Sequence, residues 1–120
     1  MARKRNQGSK WIRRSTRLAI YSRVGFCCCY CGATAEEGAF LTLDHVLACE
    51  LNGSNDPTNL VTACLSCNSA KRDLATRSWF ALLRDRGVDT SGLSARIRNA
   101  TSRKLDRAEG LRLASIRRSF

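Results

Sequence analysis

The chain has 120 residues, of which 7% are aromatic, one is Pro and seven are Cys, and its formal net charge is +11. That length holds one modest core and excludes two independent ones, and so few aromatics make a metal attractive as a structural staple. A pI near 10.1 points to nucleic acid ahead of acidic proteins or anionic lipid as partner.

The layout of charge says more than its total. The first 24 residues carry eight bases and no acid, Gly25 to Ala70 carry five acids and no Lys or Arg, and the rest carries thirteen bases against five acids. A centre stripped of cations suits bound divalent ions, and cationic flanks suit a phosphate polymer. The basic start MARKRNQG is not followed by the apolar run of a secretory signal, and no stretch approaches the roughly 18 apolar residues of a membrane span. A cytoplasmic protein of a bacterial or phage-infected cell is expected, without membrane contact. In a reducing compartment seven cysteines argue for metal binding over disulfides.

In chain order, residues 1–8 read as a flexible basic arm ahead of a single domain over 9–120. A basic helix is expected over 9–26, with Leu18, Tyr21 and Val24 at a spacing of three, Trp11 on a similar face, and Gly25 ending it. A core over 27–72 follows: a turn at Cys27 to Gly32, an extended run at Phe40 to Val46, a loop at Asn52 to Asn59, and a short strand or helix start at Leu60 to Ala63. From Asn68 a helix is expected to run on to Arg86, with Ala75, Trp79, Leu82 and Leu83 on one face and Gly87 as its stop. Residues 73–120 form a helical basic extension. In it Thr90 and Ser91 offer a cap for a helix carrying Leu93, Ile97 and Ala100, and Gly110 interrupts the pattern before a last basic turn or two.

Cys28 and Cys31 form one C-x-x-C and Cys64 and Cys67 a second, the pattern of two knuckles around a tetrahedral four-sulfur zinc site. The run Cys27, Cys28, Cys29, Cys31 allows other pairings, and Cys28 is preferred because its spacing matches the downstream pair; Cys49 reads as an ordinary thiol. The 32 residues between Cys31 and Cys64 must hold an inserted element. That insertion carries His45, the only His, preceded by Asp44 and followed fourteen residues on by Asn59; Asn68 stands directly after Cys67, and Lys71 a turn further. Hydrolysing a phosphodiester requires a base for the attacking water and neutralisation of the charge that develops. A His near neutral pH suits the first task, and an ion on hard oxygens, such as Mg²⁺ or Mn²⁺ on Asp44 and Asn68, the second.

The ordered set C-C-Y-C-G, L-D-H, then N-L-V-x-A-C-x-x-C-N-x-x-K resembles the HNH endonuclease family. The resemblance implies an α+β fold: a small ββα-metal core with zinc knuckles, flanked by N-terminal and C-terminal basic helices. It implies His45 as general base, Asn59 as the residue positioning loop and base, and Asp44 and Asn68 as ligands of the catalytic ion. The expected activity is nicking of one DNA strand per active site, leaving a 3′-hydroxyl and a 5′-phosphate, with DNA rather than RNA as partner. The family pattern often has a Pro and paired glycines after the His, where this chain reads LACELNG. Asp44 and His45 are adjacent, so strict strand alternation sends them to opposite faces unless the strand ends, bulges or twists there.

Lys71, Arg72, Arg13, Arg14 and Arg17 are candidate nucleic-acid contacts, with Lys71 alternatively neutralising the transition state. Structural readings compete for every residue: solvated helix faces for the bases, an Asx-turn for Asn59, a helix cap for Asn68. Trp11, Trp79 and Phe80 read as core rather than base-stacking platforms. The competing function is a non-catalytic, zinc-containing module that binds nucleic acid through its basic flanks.

Overall fold

The computed structural model describes residues 12–47 and 54–116. Helix α1 spans Arg14–Ser22 and buries Leu18, Ala19, Ile20 and Tyr21. The chain then reverses through Gly25 at φ +70 and Phe26 at φ +56, the first being a conformation that glycine adopts without a Cβ clash. The expected flexible arm, Trp11 and Cys49 lie outside the described residues; of the span 9–26 read as a basic helix, the described helix covers only Arg14–Ser22, with non-helical Arg13 as its N-cap.

Strands β1 (Leu41–His45) and β2 (Leu60–Cys64) pair antiparallel, with Leu41 opposite Cys64, Leu43 opposite Thr62 and His45 opposite Leu60. All five β2 residues are buried, because this two-stranded ribbon is covered on both sides. Leu41, Leu43 and Leu60 cluster with Leu18, Ile20 and Tyr21 on one side; Val61 and Ala63 cluster with Trp79, Leu83, Leu93 and Ile97 on the other. Isolated hairpins are marginal in water, and it is this double covering that makes the ribbon a stable element.

Helix α2 (Leu65–Lys71) starts directly at the end of β2, with the Cys64 sulfur accepting the Cys67 N–H as its cap. Two strands and this helix make the ββα unit, and the fold is a mixed α+β one with basic helices on either side. The single long helix expected from Asn68 onward is two helices. Arg72 sits at φ +53, which ends α2, and α3 (Thr76–Asp85) begins after a four-residue corner. The break lets two separate faces turn inward, Lys71 from α2 and Trp79 with Leu83 from α3, while Ala75 becomes an exposed N-cap position. Gly87, at φ +87, follows α3 as the sequence suggests.

Helix α4 (Leu93–Ser102) buries Leu93, Ile97 and Ala100, but its N-cap is Gly92, with no side-chain cap bond. Neither Thr90 nor Ser91 caps it. Asp89 forms an Asx-turn there by accepting from the Ser91 N–H and hydroxyl. Gly110 does not interrupt the last helix; it lies buried inside α5 (Arg107–Ala114). A Cβ on it would run into the Ser15 carbonyl oxygen and come within 2.9 Å of the Ala19 Cβ. Its missing side chain is what lets α5 lie directly on α1. Among the described residues no helix is long and apolar enough to cross a membrane.

Gly110→Ala therefore sets two effects against each other. Helix propensity alone would favour Ala by about 1 kcal/mol, whereas overpacking against backbone costs about 1–3 kcal/mol. A net loss of stability is expected in urea unfolding; a stabilised variant would show that α1 and α5 are not in contact.

Candidate metal centre and active site

The Cys28, Cys31, Cys64 and Cys67 sulfurs all lie within 4.8 Å of one another. A zinc–sulfur bond of about 2.3 Å requires tetrahedral sulfurs about 3.8 Å apart, and Cys31 and Cys64 sit at 3.8 Å. The backbone N–H of Cys31 points at the Cys28 sulfur at 3.5 Å and that of Cys67 at the Cys64 sulfur at 3.4 Å, dipoles that favour thiolate. Accordingly the Cys28 thiol is held down to about 4, foremost by its hydrogen bond with Cys67, whose own thiol is pushed up by the same bond. The donor set fits a tetrahedral, thiolate-binding ion such as zinc. Cys27 and Cys29 are not part of it: the Cys27 thiol donates to the Gly32 carbonyl, and burial pushes the Cys29 thiol up to about 11.

The knuckle also reaches the acid of the insertion. Tyr30, between the first two cysteines of the cluster, donates its hydroxyl to Asp44 Oδ2 at 2.5 Å, and its ring stands edge-on to Trp79 with centroids 5.3 Å apart. Lys71 Nζ lies 3.2 Å from the same carboxylate oxygen and donates to the His45 carbonyl at 2.8 Å. Asp44 is only 5% exposed and Lys71 2%. Burial raises the Asp44 carboxyl above its usual range, against the pull of the Lys71 ammonium and the Tyr30 hydroxyl. Burial, together with the adjacent Asp44 charge, keeps the Tyr30 phenol well above its ordinary value, so it stays a donor.

Lys71 is therefore not an outward contact for nucleic acid: its ammonium is sealed against Asp44, because one buried carboxylate demands a partner. Arg72 is exposed just beyond it. Arg13, the N-cap of α1, and Arg14, its first residue, are exposed; Arg14 donates to the Ile116 carbonyl and Arg13 borders a groove with Arg107 and Leu111. Arg17 is half-buried beside Tyr21.

Asn68 donates its amide nitrogen to Thr42 Oγ1 at 2.8 Å and the Leu43 carbonyl at 3.1 Å. It thus shares with Asp44 the face of β1 that α2 covers. His45, 6% exposed, has its Nε2 at 2.7 Å from Asn55 Oδ1. The ladder stays regular through His45 opposite Leu60, and alternation separates the neighbours: Asp44 meets Tyr30 and Lys71, while His45 meets the loop.

Asn59 ties that loop together. Its amide accepts from the Leu47 N–H at 2.9 Å and donates to the Leu47 and Ser54 carbonyls at 3.0 and 2.9 Å. It ends a one-turn 3-10 helix (Pro57–Asn59) capped by Asp56, which accepts from the Thr58 N–H. Arg23 braces this turn from below, donating to the Pro57 and Leu60 carbonyls at 2.9 and 2.6 Å. Tyr30, Asn55 and Arg23 carry no periodicity or motif spacing that marks a role; only the C-x-Y-C context of Tyr30 hinted at one.

Residues 28–74 match the family model described as HNH endonuclease. Over 60 aligned residues the chain is 37% identical to a Bacillus subtilis (strain 168) protein named "SPbeta prophage-derived putative HNH endonuclease YoqL". The aligned part is 44% of this chain and 26% of that relative, so the chain spans about a quarter of its length. No solved structure gives a significant match.

Two outcomes follow from this geometry. Protein purified without added zinc should hold about one tightly bound Zn²⁺ per chain, and Cys64→Ser should lose both the ion and cooperative unfolding, since coordination energy in such sites is folding energy; a folded, metal-free chain would contradict it. Tyr30→Phe should cost about 1–3 kcal/mol in urea unfolding at unchanged zinc content, the penalty for a buried carboxylate deprived of a donor.

Proposed function

We propose that the chain is a metal-dependent HNH endonuclease that hydrolyses DNA phosphodiester bonds, nicking one strand per active site. The observation that carries this reading is the His45 to Asn55 bond at 2.7 Å, one residue from the buried Asp44, within the segment that matches the family model. With the amide oxygen as acceptor, Nε2 carries the imidazole proton, and Nδ1 is the basic nitrogen. His45 is then oriented to take a proton from water attacking a phosphate, the general base role. Asn59 acts through position: by joining Leu47 to Ser54 it sets the loop that delivers Asn55.

The Asp44 carboxylate and the Asn68 amide oxygen suit a hard divalent ion in kind, Mg²⁺ or Mn²⁺ rather than a thiophilic one. Such an ion, when bound, neutralises charge on the phosphate and the departing oxygen. Lys71 shares the Asp44 carboxylate, keeping it compensated and fixed beside the His45 carbonyl. The basic flanks attract the phosphate backbone; DNA rather than RNA is the proposed partner, met in the cytoplasm of a bacterial or phage-infected cell. The single domain assigned to 9–120 belongs to the same proposal.

Conversion of supercoiled plasmid to open circles tests it, comparing the wild type with His45→Ala in Mg²⁺, in Mn²⁺ and without added divalent ion. Nicking should depend on the added ion and fall about 10²-fold or more in the variant, the usual worth of a positioned base. Equal nicking by both folded, zinc-loaded proteins would leave the non-catalytic nucleic-acid-binding module as the better account. Asn55→Ala should also slow nicking, by less than His45→Ala, since it removes the orienting partner and not the base.

A further inference from the structure

A cleft of about 620 Å³ opens between the end of α1, the first zinc knuckle and α4, with Arg23, Arg96 and Arg103 among its lining residues and no carboxylate. From this we propose a second phosphate-binding site, away from His45, that takes the sugar-phosphate backbone of a nucleic-acid strand. The binding itself follows from charge and shape; only its role in guiding a strand to the active site rests on the nuclease reading.

Three guanidiniums on one concave wall are not three independent solvated side chains. Each is aimed by a backbone carbonyl from a different element. Arg96 Nε donates to Cys29 O at 3.0 Å, Arg103 to Arg23 O at 2.8 Å, and Arg23 to Pro57 O and Leu60 O. Carbonyls orient a guanidinium without cancelling its charge. Among the described residues the ion pairs are Lys71 with Asp44 and Arg112 with Glu109, so none of the three is paired with an acid. Asp89 does sense Arg96, but its carboxyl is held low first by the Ser91 N–H and hydroxyl, to which it is turned.

The Arg96 and Arg103 forks each spend one nitrogen on these bonds and keep their other donors, the geometry that recognises phosphate in bidentate fashion. Arg23 Nε is buried with no protein partner, and burial pulls that guanidinium below its ordinary value. An anion in the cleft favours the charged form and so opposes that pull. A concave wall of one sign also focuses its field, which a convex basic face does not. Arg23 links the two sites: it lines the cleft, and the carbonyls it holds flank Asn59 at the 3-10 turn.

The test is fluorescence anisotropy of a labelled DNA duplex with the zinc-loaded full chain, without added Mg²⁺, over a range of salt. Arg96→Gln/Arg103→Gln keeps hydrogen-bond donors for the two carbonyls while removing both charges. It should weaken binding about tenfold and lower the slope of log K against log salt by about 2, the worth of two lost phosphate contacts. A control, Arg77→Ala/Arg98→Ala, removes two exposed charges outside the cleft and should change affinity no more than about threefold, with a smaller change in slope. Arg96→Lys/Arg103→Lys should retain the slope. The site is overturned if the Gln pair behaves like the control, or if the Gln and Lys pairs lose affinity alike, which would make the arginines structural. Loss of binding in the Gln pair when the wild type nicks no plasmid would sink the nuclease reading and keep the site. Normal binding and nicking by the Gln pair would do the reverse.

Discussion

Four sulfurs meeting within 4.8 Å are the constraint on which the other positions depend. Cys64 is at once the last residue of β2 and the cap of α2, so the strand must end and the helix begin where the tetrahedron closes. Cys28 and Cys31 bring in the turn that carries Tyr30, and Tyr30 reaches Asp44 on β1. A cluster that looks remote from the chemistry therefore fixes the ribbon, the helix and the acid in one step. With a core this poor in aromatics, the coordination energy of an ion on these sulfurs would take the place that a larger apolar interior would occupy.

Burial of Asp44 carries the opposite sign. A carboxylate at 5% exposure is costly, and the protein offsets that cost with two groups from two elements, the Tyr30 hydroxyl and the Lys71 ammonium. The pair holds Asp44 in one geometry at low dielectric, where its field is strongest. It also explains why Lys71 faces inward although every statistical expectation for a lysine places it in water. Among the described residues the cations thus differ in setting: Lys71 is sealed against an internal acid, whereas Arg72 and Arg98 are exposed.

Legibility in the sequence followed the range of the interactions. The four-cysteine frame was readable because its geometry imposes spacing, C-x-x-C twice, and the first strand because Phe40 to Val46 reads as an extended run, whereas Leu60 to Ala63 read equally as a strand or a helix start. The order of Asp44, His45, Asn59 and Asn68 was readable through resemblance. Unreadable were features set by a neighbour distant in sequence. Nothing local says that Arg72 adopts positive φ, since the break exists to turn Lys71 and Trp79 inward. Gly110 looked like a stop because glycine weakens helices, yet it is there for the sake of Ser15 and Ala19, some 90 residues away. Asn55 acts through one hydrogen bond and Arg23 through two, and such isolated contacts leave no period.

The amide of Asn59 joins Leu47 to Ser54, and in doing so it works as a buckle. A loop whose two ends are already clasped pays little for extra length, since closure entropy grows only with the logarithm of the number of residues. Residues exchanged or inserted between Leu47 and Ser54 would therefore meet a clasp that is closed independently of them. The clasp and the number of residues it spans can then vary separately, within the segment that matches the HNH endonuclease family model.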